Sequence, residues 1–207
     1  MKVMAINGSP NAKGNTAAAI EIVAQALREE GIEVEVIQVG HLSIRSCIDC
    51  RTCSTREKHH CVFKDDIVNA CIDKAQECDG FIFGSPTYYG GMTGAMKSFM
   101  DRLFFGGGMP RYKVALSIAA ARRTGGLDVY HQLNNYLEIT NCIRIPMPYW
   151  GVVYGNNNGD MVADDEGVSV MRIAGKQMAW LMKSMDYAKE AVPMPELPER
   201  KWTHFIR

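Results

Sequence analysis

The chain has 207 residues, of which 47% are hydrophobic, and its 23 basic residues balance 23 acidic ones. At this length we expect one domain that buries about 70% of its unfolded surface and needs neither metal nor disulfide to fold. The balanced charge creates no field for nucleic acid or an anionic membrane, so a small molecule is the expected ligand.

Two features of the sequence predict a cytoplasmic protein. No apolar run approaches the ~18 residues of a membrane span. The first residues enter a strand pattern directly, without the charged and apolar regions of a signal peptide. The seven cysteines are not expected to form disulfides, because cytosolic thiols are kept reduced.

A polar turn at residues 7–10 follows the first strand pattern, at residues 3–6, and precedes an apolar stripe with helical spacing. Asn15 or Thr16 is the predicted N-cap of that helix. Unpaired amides and the positive helix end converge at such a turn and favour an anion, here a phosphate group. The pattern matches neither the P-loop nor the G-x-G-x-x-G fingerprint. The alternative is a strand-to-helix turn without a ligand.

The next segments are a second strand at residues 32–39, expected beside the first, and a stretch without periodicity at residues 42–63. That stretch holds four cysteines and is predicted to be a long loop or a broken element, which in a compact domain is usually functional. Asp65 and Asp66 then open a helix, since acidic residues suit a helix N-terminus.

Residues 80–84 form a short apolar run that predicts a buried central strand. A second polar turn, SPTYYGGMTG, follows this strand. The helix after it is predicted from about residue 93 to about residue 105, ending at the three glycines 106–108.

The last third of the chain repeats the strand-helix alternation. Residues 114–121 predict a fourth buried strand, followed by a third polar turn at residues 122–126 and a helix. Residues 142–147 predict a fifth strand interrupted by prolines, and a loop with one further possible strand comes next. A final helix carries methionines on one face, and the proline-punctuated residues 191–207 are predicted to form a non-helical tail on the surface or on a partner subunit.

This alternation predicts an α/β fold with a doubly wound, five-stranded parallel sheet of order 2-1-3-4-5 and helices on both faces. We expect residues 1–190 to be one domain with the cysteine-rich loop 42–63, followed by the tail 191–207. In such a sheet the three polar turns lie at the carboxyl ends of the strands, around the topological switch point where ligands bind. They are therefore predicted to form one site.

The motifs GSPNAKGNT, GSPTYYGGMTGAMKSFMDR and RRTGGLD resemble those of the flavodoxin-like NAD(P)H-dependent FMN reductases, and more closely their iron-sulfur flavoprotein branch. The resemblance covers nearly the whole chain. It implies an FMN-dependent oxidoreductase whose donor is NAD(P)H or reduced ferredoxin and which forms a homodimer or homotetramer. The residues implied to hold the FMN phosphate are Ser9, Asn11, Asn15 and Thr16. The residues implied to surround the isoalloxazine ring are Pro86, Thr87, Tyr88, Tyr89, Gly90 and Gly91.

The second turn also suits a flavin physically. Gly90 and Gly91 allow the close backbone approach that the ring requires. Tyr88 and Tyr89 would stack on the ring or flank it; the alternative is that one of them caps the core. Because the flavin itself performs the hydride chemistry, no catalytic side chain is assigned.

The third turn contributes Arg122, Thr124 and Gly125 to the predicted cofactor site, together with Arg123. A guanidinium there would stabilise negative charge on the reduced flavin or meet the 2′-phosphate of NADPH. The alternative is that both arginines are simply solvated, which is the common state of surface arginine.

Cys47, Cys50 and Cys53 have the spacing C-x2-C-x2-C, and Cys61 follows after seven residues. The spacing resembles the cluster motif of the iron-sulfur flavoproteins and predicts a [4Fe-4S] cluster, because three thiolates on one curled loop reach three corners and a distant fourth completes the set. The alternatives are zinc, with His59 or His60 replacing one thiolate, and free or redox-active thiols.

The cysteines outside this motif, Cys71, Cys78 and Cys142, are predicted to be buried apolar side chains. The overall functional prediction is an FMN oxidoreductase with a [4Fe-4S] cluster as its one-electron port. A cluster-free NAD(P)H-dependent FMN or quinone reductase is the first alternative. The second, a flavodoxin-like electron carrier, is disfavoured by the zero net charge, since such carriers are usually acidic for docking.

Overall fold

The structure is a computed structural model that describes residues 1–56, 59–106, 111–199, 201, 203 and 205. The strands are β1 (Lys2–Asn7), β2 (Glu33–Gln38), β3 (Gly80–Pro86), β4 (Val114–Ala121), β5 (Ile143–Arg144) and β6 (Val152–Tyr154). The helices are α1 (Asn15–Glu29), α2 (Thr52–Thr55), α3 (Val68–Glu77), α4 (Gly94–Phe105), α5 (Gly126–Ile139) and α6 (Asp165–Ala188), with a 3₁₀ helix at Asp160–Ala163.

The sheet has the predicted order, β2-β1-β3-β4-β5, and its strand pairs are parallel. Its fifth position differs from the prediction, because two short strands share it. β5 pairs with β4 at Val114 and Ala115, and β6 pairs with β4 from Ala119 onwards. The intervening prolines cannot donate ladder hydrogen bonds, so the pairing breaks there.

Helices cover both faces of the sheet, as predicted. In β1, Val3 and Ala5 belong to a core shared with α1 and α6, whereas Met4 and Ile6 belong to a second core shared with α3, α4 and α5. This alternation follows from the two-residue period of a strand. It leaves the carboxyl ends of the strands as the edge from which the polar turns emerge.

Helix α1 begins one residue earlier than the predicted N-cap requires. Its N-cap is Gly14, which makes no side-chain capping bond, and Asn15 and Thr16 lie in the first turn. Asn15 is not the cap because its Oδ1 accepts a hydrogen bond from the Met161 amide at 3.1 Å. The first turn of α1 is therefore joined to the 3₁₀ helix by a contact across 146 residues.

The described part of the cysteine-rich stretch, residues 42–56 and 59–63, is irregular, as predicted, apart from the single turn of α2. Asp49 and Arg51 have positive φ angles of 49° and 56°. Helix α4 has its C-cap at Gly106, and the glycines 107 and 108 of the predicted stop lie outside the described residues. Residues 191–199 of the tail contain no helix or strand and are largely exposed. Among the described helices, none is long and apolar enough to cross a membrane.

Candidate functional site

The three polar turns meet at the carboxyl edge of the sheet, as predicted. The Thr93 hydroxyl, at the N-cap of α4, donates to the carbonyl of Gly8 at 2.8 Å, which ties the second turn to the first. A Cβ atom on Gly125 would lie 3.2 Å from Thr87 Cγ2 and 3.3 Å from Gly90 Cα, so the third turn rests against the second. The turns form one continuous surface.

The polar side chains of Asn7, which is buried, and Gln38, which is half-buried, hold the first turn in place. Asn7 Oδ1 accepts from the Ser9 amide at 3.0 Å, and Asn7 Nδ2 donates to Gln38 Oε1 at 2.6 Å. Gln38 Nε2 donates in turn to the Ser9 carbonyl. Sequence reasoning missed both residues; the available signal was an asparagine that closes an apolar strand.

Gly40 presses against the same turn. A Cβ atom at this position would lie 2.1 Å from the carbonyl carbon of Ser9. Any other residue would therefore displace the turn. Its own amide donates to the Asn7 carbonyl at 3.2 Å, which keeps the segment after β2 beside the first turn.

The first turn presents donors suited to an anion. The first helical hydrogen bond of α1 runs from the Ala18 amide to the Gly14 carbonyl, so the three preceding helix amides have no backbone acceptor within α1. The Thr16 hydroxyl is buried and has no hydrogen-bond partner. Ser9 Oγ, in contrast, accepts from the Asn11 amide at 3.1 Å. Unpaired buried donors at a helix N-terminus are the arrangement that binds phosphate.

Asn11 and Asn15 already have protein partners. Asn11 Oδ1 accepts from the Lys13 amide at 3.2 Å, and its Nδ2 donates to Asn158 Oδ1 at 2.5 Å. Asn15 binds the Met161 amide through Oδ1. Both side chains thus shape the turn and join it to the segment after β6, and their predicted contact with phosphate stays a prediction.

The second turn is a tight two-residue turn between Tyr88 and Gly91. The two residues exchange backbone hydrogen bonds of 2.8 and 2.9 Å, and the intervening Tyr89 and Gly90 have φ angles of 51° and 75°. Positive φ at both central positions is the type I′ geometry. Among the described residues, none accepts a hydrogen bond from the amides of Tyr89 or Gly90, so both donors are available to a ligand.

Both tyrosines of the turn are exposed, Tyr88 by 51% and Tyr89 by 111%. The alternative in which one of them caps the core is therefore wrong. The hydroxyl of Thr87 is buried without a partner, while its amide donates to the Ala120 carbonyl at 2.8 Å.

Gln132 supports the second turn from α5. Its Nε2 donates to the Gly90 carbonyl and its Oε1 accepts from the Met92 amide, both at 3.3 Å. Sequence reasoning missed this residue, because a glutamine in a helix gives no local sign of what it faces. The contact orients the turn that carries the two free amides.

The third turn places Arg122, Arg123 and Thr124 on the surface, with Gly125 half-buried behind them. Within the described part of the chain, no hydrogen bond or ion pair engages either guanidinium. The geometry is open to a ligand and to solvent alike, so both interpretations of these arginines stand.

The four cysteines of the motif come together in one cavity. Cys47, Cys50, Cys53 and Cys61 all line one small cavity, here called the cysteine recess. Burial raises the pKa of the Cys53 thiol. A hydrogen bond donated by the Thr52 hydroxyl, at 3.3 Å, lowers the pKa of Cys50.

The donors around the cysteine recess are sulfur atoms. His59 Nδ1 lies 3.3 Å from the Cys53 carbonyl oxygen and His60 Nε2 lies 2.7 Å from Asp73 Oδ1, and neither ring lines the recess. Among the described residues, no three His, Cys, Asp or Glu side chains are grouped to hold a single metal ion. A set of four thiols around one cavity is the donor chemistry of an iron-sulfur cluster.

The cysteine recess and the polar turns lie at opposite ends of α4. Thr93 begins this helix at the second turn, whereas Arg102 and Phe105 line the recess near its C-terminus. With a rise of 1.5 Å per residue, Arg102 lies about 14 Å along the helix axis from Thr93. The loop reaches this end by running along α4, where Ser46 Oγ and Ser98 Oγ are 3.0 Å apart.

A doubly wound sheet of this order, with polar turns at its switch point, is typical of flavodoxin-like proteins. A sequence model of the NADPH-dependent FMN reductase family matches residues 1–157. The chain belongs to this family, and this match makes it an FMN-dependent oxidoreductase.

Two relatives show how far the sequence similarity extends along the chain. An iron-sulfur flavoprotein of Methanocaldococcus jannaschii is 35% identical over 193 residues, which cover 88% of this chain and 98% of the relative. An FMN reductase (NADPH) of Pseudomonas putida is 28% identical over 133 residues, which cover 64% of this chain and 58% of the relative.

Solved structures share the fold. A flavodoxin from the domain Archaea superposes with a TM-score of 0.60 at 15% identity, covering 88% of this chain and 99% of the flavodoxin. RosB with bound 8-demethyl-8-formylriboflavin-5′-phosphate superposes with a TM-score of 0.70 at 16% identity, covering 100% of this chain and 94% of RosB. These superpositions confirm the predicted flavodoxin-like fold.

Proposed function

We propose that this oxidoreductase carries a [4Fe-4S] cluster on Cys47, Cys50, Cys53 and Cys61, and passes electrons through FMN and the cluster from NAD(P)H or reduced ferredoxin to an acceptor. The observation that carries the proposal is that these four cysteines line one cavity. The relatives named iron-sulfur flavoproteins support it.

FMN, when bound, supplies the chemistry of accepting electrons as a pair and releasing them singly. For its phosphate we propose the amides at the start of α1 with the buried Thr16 hydroxyl, assisted by Ser9, Asn11 and Asn15. Asn11 would act by holding the turn that presents the amides, because both of its polar atoms already have partners. Asn15 would act in the same way through Oδ1, which accepts from the Met161 amide.

For the isoalloxazine ring we propose the second turn, from Pro86 to Gly91. The free amides of Tyr89 and Gly90 would donate to ring acceptors. Both residues have the left-handed backbone of this turn type. The third turn, with Arg122, Thr124 and Gly125, would close the site beside it. An exposed guanidinium there would meet the anionic edge of the ring or a dinucleotide phosphate.

For the cluster, the residues present are of the right kind. Thiolates are the ligands of [4Fe-4S] clusters, and the recess offers four of them without a histidine. Zinc would require His59 or His60 to turn away from its present partner if it used a mixed site. The sulfur-only donor set therefore favours iron-sulfur over a mixed zinc site.

A cluster-free NAD(P)H-dependent FMN or quinone reductase is the second candidate. The similarity to the FMN reductase (NADPH) of Pseudomonas putida favours it. In this case the four cysteines would be free thiols. For either candidate, a homodimer or homotetramer stays our prediction.

The test is an assay of iron and acid-labile sulfide on protein purified and reconstituted without oxygen. We expect about four iron atoms and about four sulfides per chain, the stoichiometry of a [4Fe-4S] cluster. We also expect an absorbance shoulder at about 400 nm that persists after FMN is extracted. The variant Cys61→Ala should lose this signal, whereas Cys142→Ala, outside the cysteine recess, should keep it. Protein without iron would support the cluster-free reductase.

The electron donor is identified by mixing the FMN-loaded protein rapidly with NADPH, NADH or reduced ferredoxin. Bleaching of the flavin absorbance by one donor within the time of turnover assigns that donor. If none of the three bleaches the flavin, the proposed donors are wrong.

A further inference from the structure

Arg102 is a charged residue in the core. Its side chain is 0% exposed, and it lies in the last turn of α4 between the buried residues Met100 and Leu103. Burying a guanidinium is costly unless each of its donors finds an acceptor. The acceptors that surround Arg102 therefore indicate the role of its buried charge.

Three groups share the guanidinium. Arg102 Nη1 and Nη2 both donate to the Asp66 carboxylate, the second at 3.1 Å. Nη1 also donates to the Arg45 carbonyl at 3.2 Å. The third nitrogen, Nε, donates to Cys61 Sγ at 3.2 Å.

The hydrogen bond from Arg102 to Cys61 is not required to balance the buried charge. The Asp66 carboxylate, whose side chain is 6% exposed, already balances the buried charge. Since a thiol sulfur is a weak acceptor compared with a carbonyl or carboxylate, packing alone gives no reason to turn the third donor toward it. The same donor is well used beside a sulfur that carries negative charge.

We propose that Arg102 is the positioning residue for the fourth cysteine of the cluster. Its Nε–H holds Cys61 Sγ in the cysteine recess, and its charge, fixed by Asp66, lies beside a sulfur ligand. The proposal rests on the cluster put forward under Proposed function. Hydrogen bonds to ligand sulfurs and nearby charge set cluster potentials, so this contact favours the reduced, more negative state.

The chain also offers a matched control in Arg45. The guanidinium carbons of Arg45 and Arg102 both lie 5.2 Å from the centroid of the Phe63 ring. The Arg45 side chain, however, is 63% exposed and pairs with the exposed Asp65 at 3.4 Å. It does not line the cysteine recess. It carries the same charge near the same loop without the contact to sulfur.

The experiment compares Arg102→Gln, Arg102→Lys and Arg45→Gln with the unchanged protein, each loaded with FMN and reconstituted with iron and sulfide. The readouts are the rate of iron loss to a chelator and the midpoint potential of the cluster from an electron paramagnetic resonance titration. Thermal melting and FMN content establish that each variant is folded. Arg102→Lys keeps the buried charge in case Arg102→Gln does not fold.

For Arg102→Gln we expect iron loss at least about 10-fold faster, the usual effect of removing a partner of a metal ligand, and a shift of the midpoint potential to lower values. The midpoint potential of Arg102→Lys should shift less than that of Arg102→Gln, because the positive charge is kept. Arg102→Lys should still lose iron faster than the unchanged protein, since an ammonium lacks the planar fork that reaches Asp66 and Cys61 together. Arg45→Gln should stay within about twofold in iron loss, because an exposed charge is screened.

The outcomes separate this inference from the proposed function. If the unchanged protein takes up no iron and sulfide, the cluster is absent and both fall. If it takes up a cluster, and Arg102→Gln matches it in iron retention and potential, only the role of Arg102 is overturned. Equal shifts in Arg45→Gln and Arg102→Gln would also overturn that role, because they would show a general charge effect.

Discussion

Thr16 and Thr87 each bury a hydroxyl oxygen that has no hydrogen-bond partner. An unsatisfied buried hydroxyl costs about 1–3 kcal/mol of folding free energy, so a ligand that bound at this sheet edge would gain affinity by giving these two hydroxyls a partner. Ser117, in the middle of β4, is also unpartnered, but lies within a strand and away from the turns. Removing the hydroxyl of Thr16 and, separately, that of Ser117 therefore distinguishes a role in ligand binding from a role in packing alone.

The first prediction concerns Thr16→Val. Valine keeps the shape of threonine and removes the hydroxyl, so FMN should bind about 5- to 30-fold more weakly, corresponding to about 1–2 kcal/mol. The free energy of unfolding of the FMN-free protein should stay the same or rise, because the unsatisfied group is gone. Fluorescence titration with FMN and urea unfolding measure the two quantities.

Ser117→Ala is the control for this prediction. It removes an unpartnered buried hydroxyl as well, and FMN affinity should not change. Equal loss of affinity in both variants, or unchanged affinity in Thr16→Val, would contradict the role of Thr16 in holding the phosphate.

At the scale of elements, the turns depend on a few backbone positions. Gly125 and Gly159 have nearly the same φ, 81° and 84°, and each precedes a helix. A side chain on Gly159 would meet nothing within 4 Å, whereas one on Gly125 would crowd Thr87 and Gly90. The two glycines therefore share a conformational constraint and differ in whether they touch the second turn.

The second prediction compares Gly125→Ala with Gly159→Ala. Both should lower the free energy of unfolding by about 1–2 kcal/mol, because alanine is strained at positive φ. Only Gly125→Ala should also weaken FMN binding, since its methyl group pushes the second turn away from the third. Equal FMN affinities for the two variants would show that the third turn does not help to position the flavin site.

The elements themselves were predictable where local pattern decides them. The fourth strand is predicted at residues 114–121, the bounds that β4 has, because seven of these eight residues are apolar. The fifth strand was predicted too long at residues 142–147, because its pairing depends on which part of β4 each end reaches. The N-cap of α1 was misplaced because Asn15 is engaged by Met161, a partner that no local pattern reveals.

At the scale of the whole molecule, the two cores differ in chemistry. The core on the α3–α4–α5 face contains buried thiols, among them Cys71 and Cys78. Cys142, also predicted to be buried, is only half-buried and packs against the edge of this core. Burial raises the pKa of Cys71 from 9.0 to about 11, and burial with a hydrogen bond to Asp101 raises that of Tyr136 from 10.0 to about 12.

The third prediction is a loss of stability in alkali. Between pH 9.0 and about 11 the unfolded chain releases the Cys71 proton while the folded chain keeps it. The folded state then binds more protons, so stability is full below pH 9 and falls as the pH rises, by up to about 1.4 kcal/mol per pH unit. Urea unfolding of the reduced, FMN-free protein at several pH values measures this slope.

Cys71→Ala should reduce the slope between pH 9 and 11. It should leave the contribution of Tyr136 at higher pH and those of Cys78 and Cys142, whose thiol pKa values burial also raises. The alanine variant will be less stable overall, because it leaves a small cavity, so the test compares slopes and not absolute values. An unchanged slope in Cys71→Ala would show that another group titrates in this range.

The order of strands and helices, the parallel sheet covered on both faces and the meeting of three polar turns at one edge could all be predicted from the sequence. These features follow from local hydrophobic periodicity and from the rule that parallel strands end on the same side. The spacing of the cysteines likewise indicated that they act together.

The side chains that support the site could not be predicted from the sequence, because their contacts join distant segments. Asn7 and Gln38 are 31 residues apart, and Arg102 and Cys61 are 41 residues apart, so neither contact leaves a trace in any local pattern. The same holds for the placement of the cysteine recess at the far end of α4 from the flavin turns. Such contacts arise when distant segments pack together, and local periodicity specifies the segments but not which of their polar atoms meet.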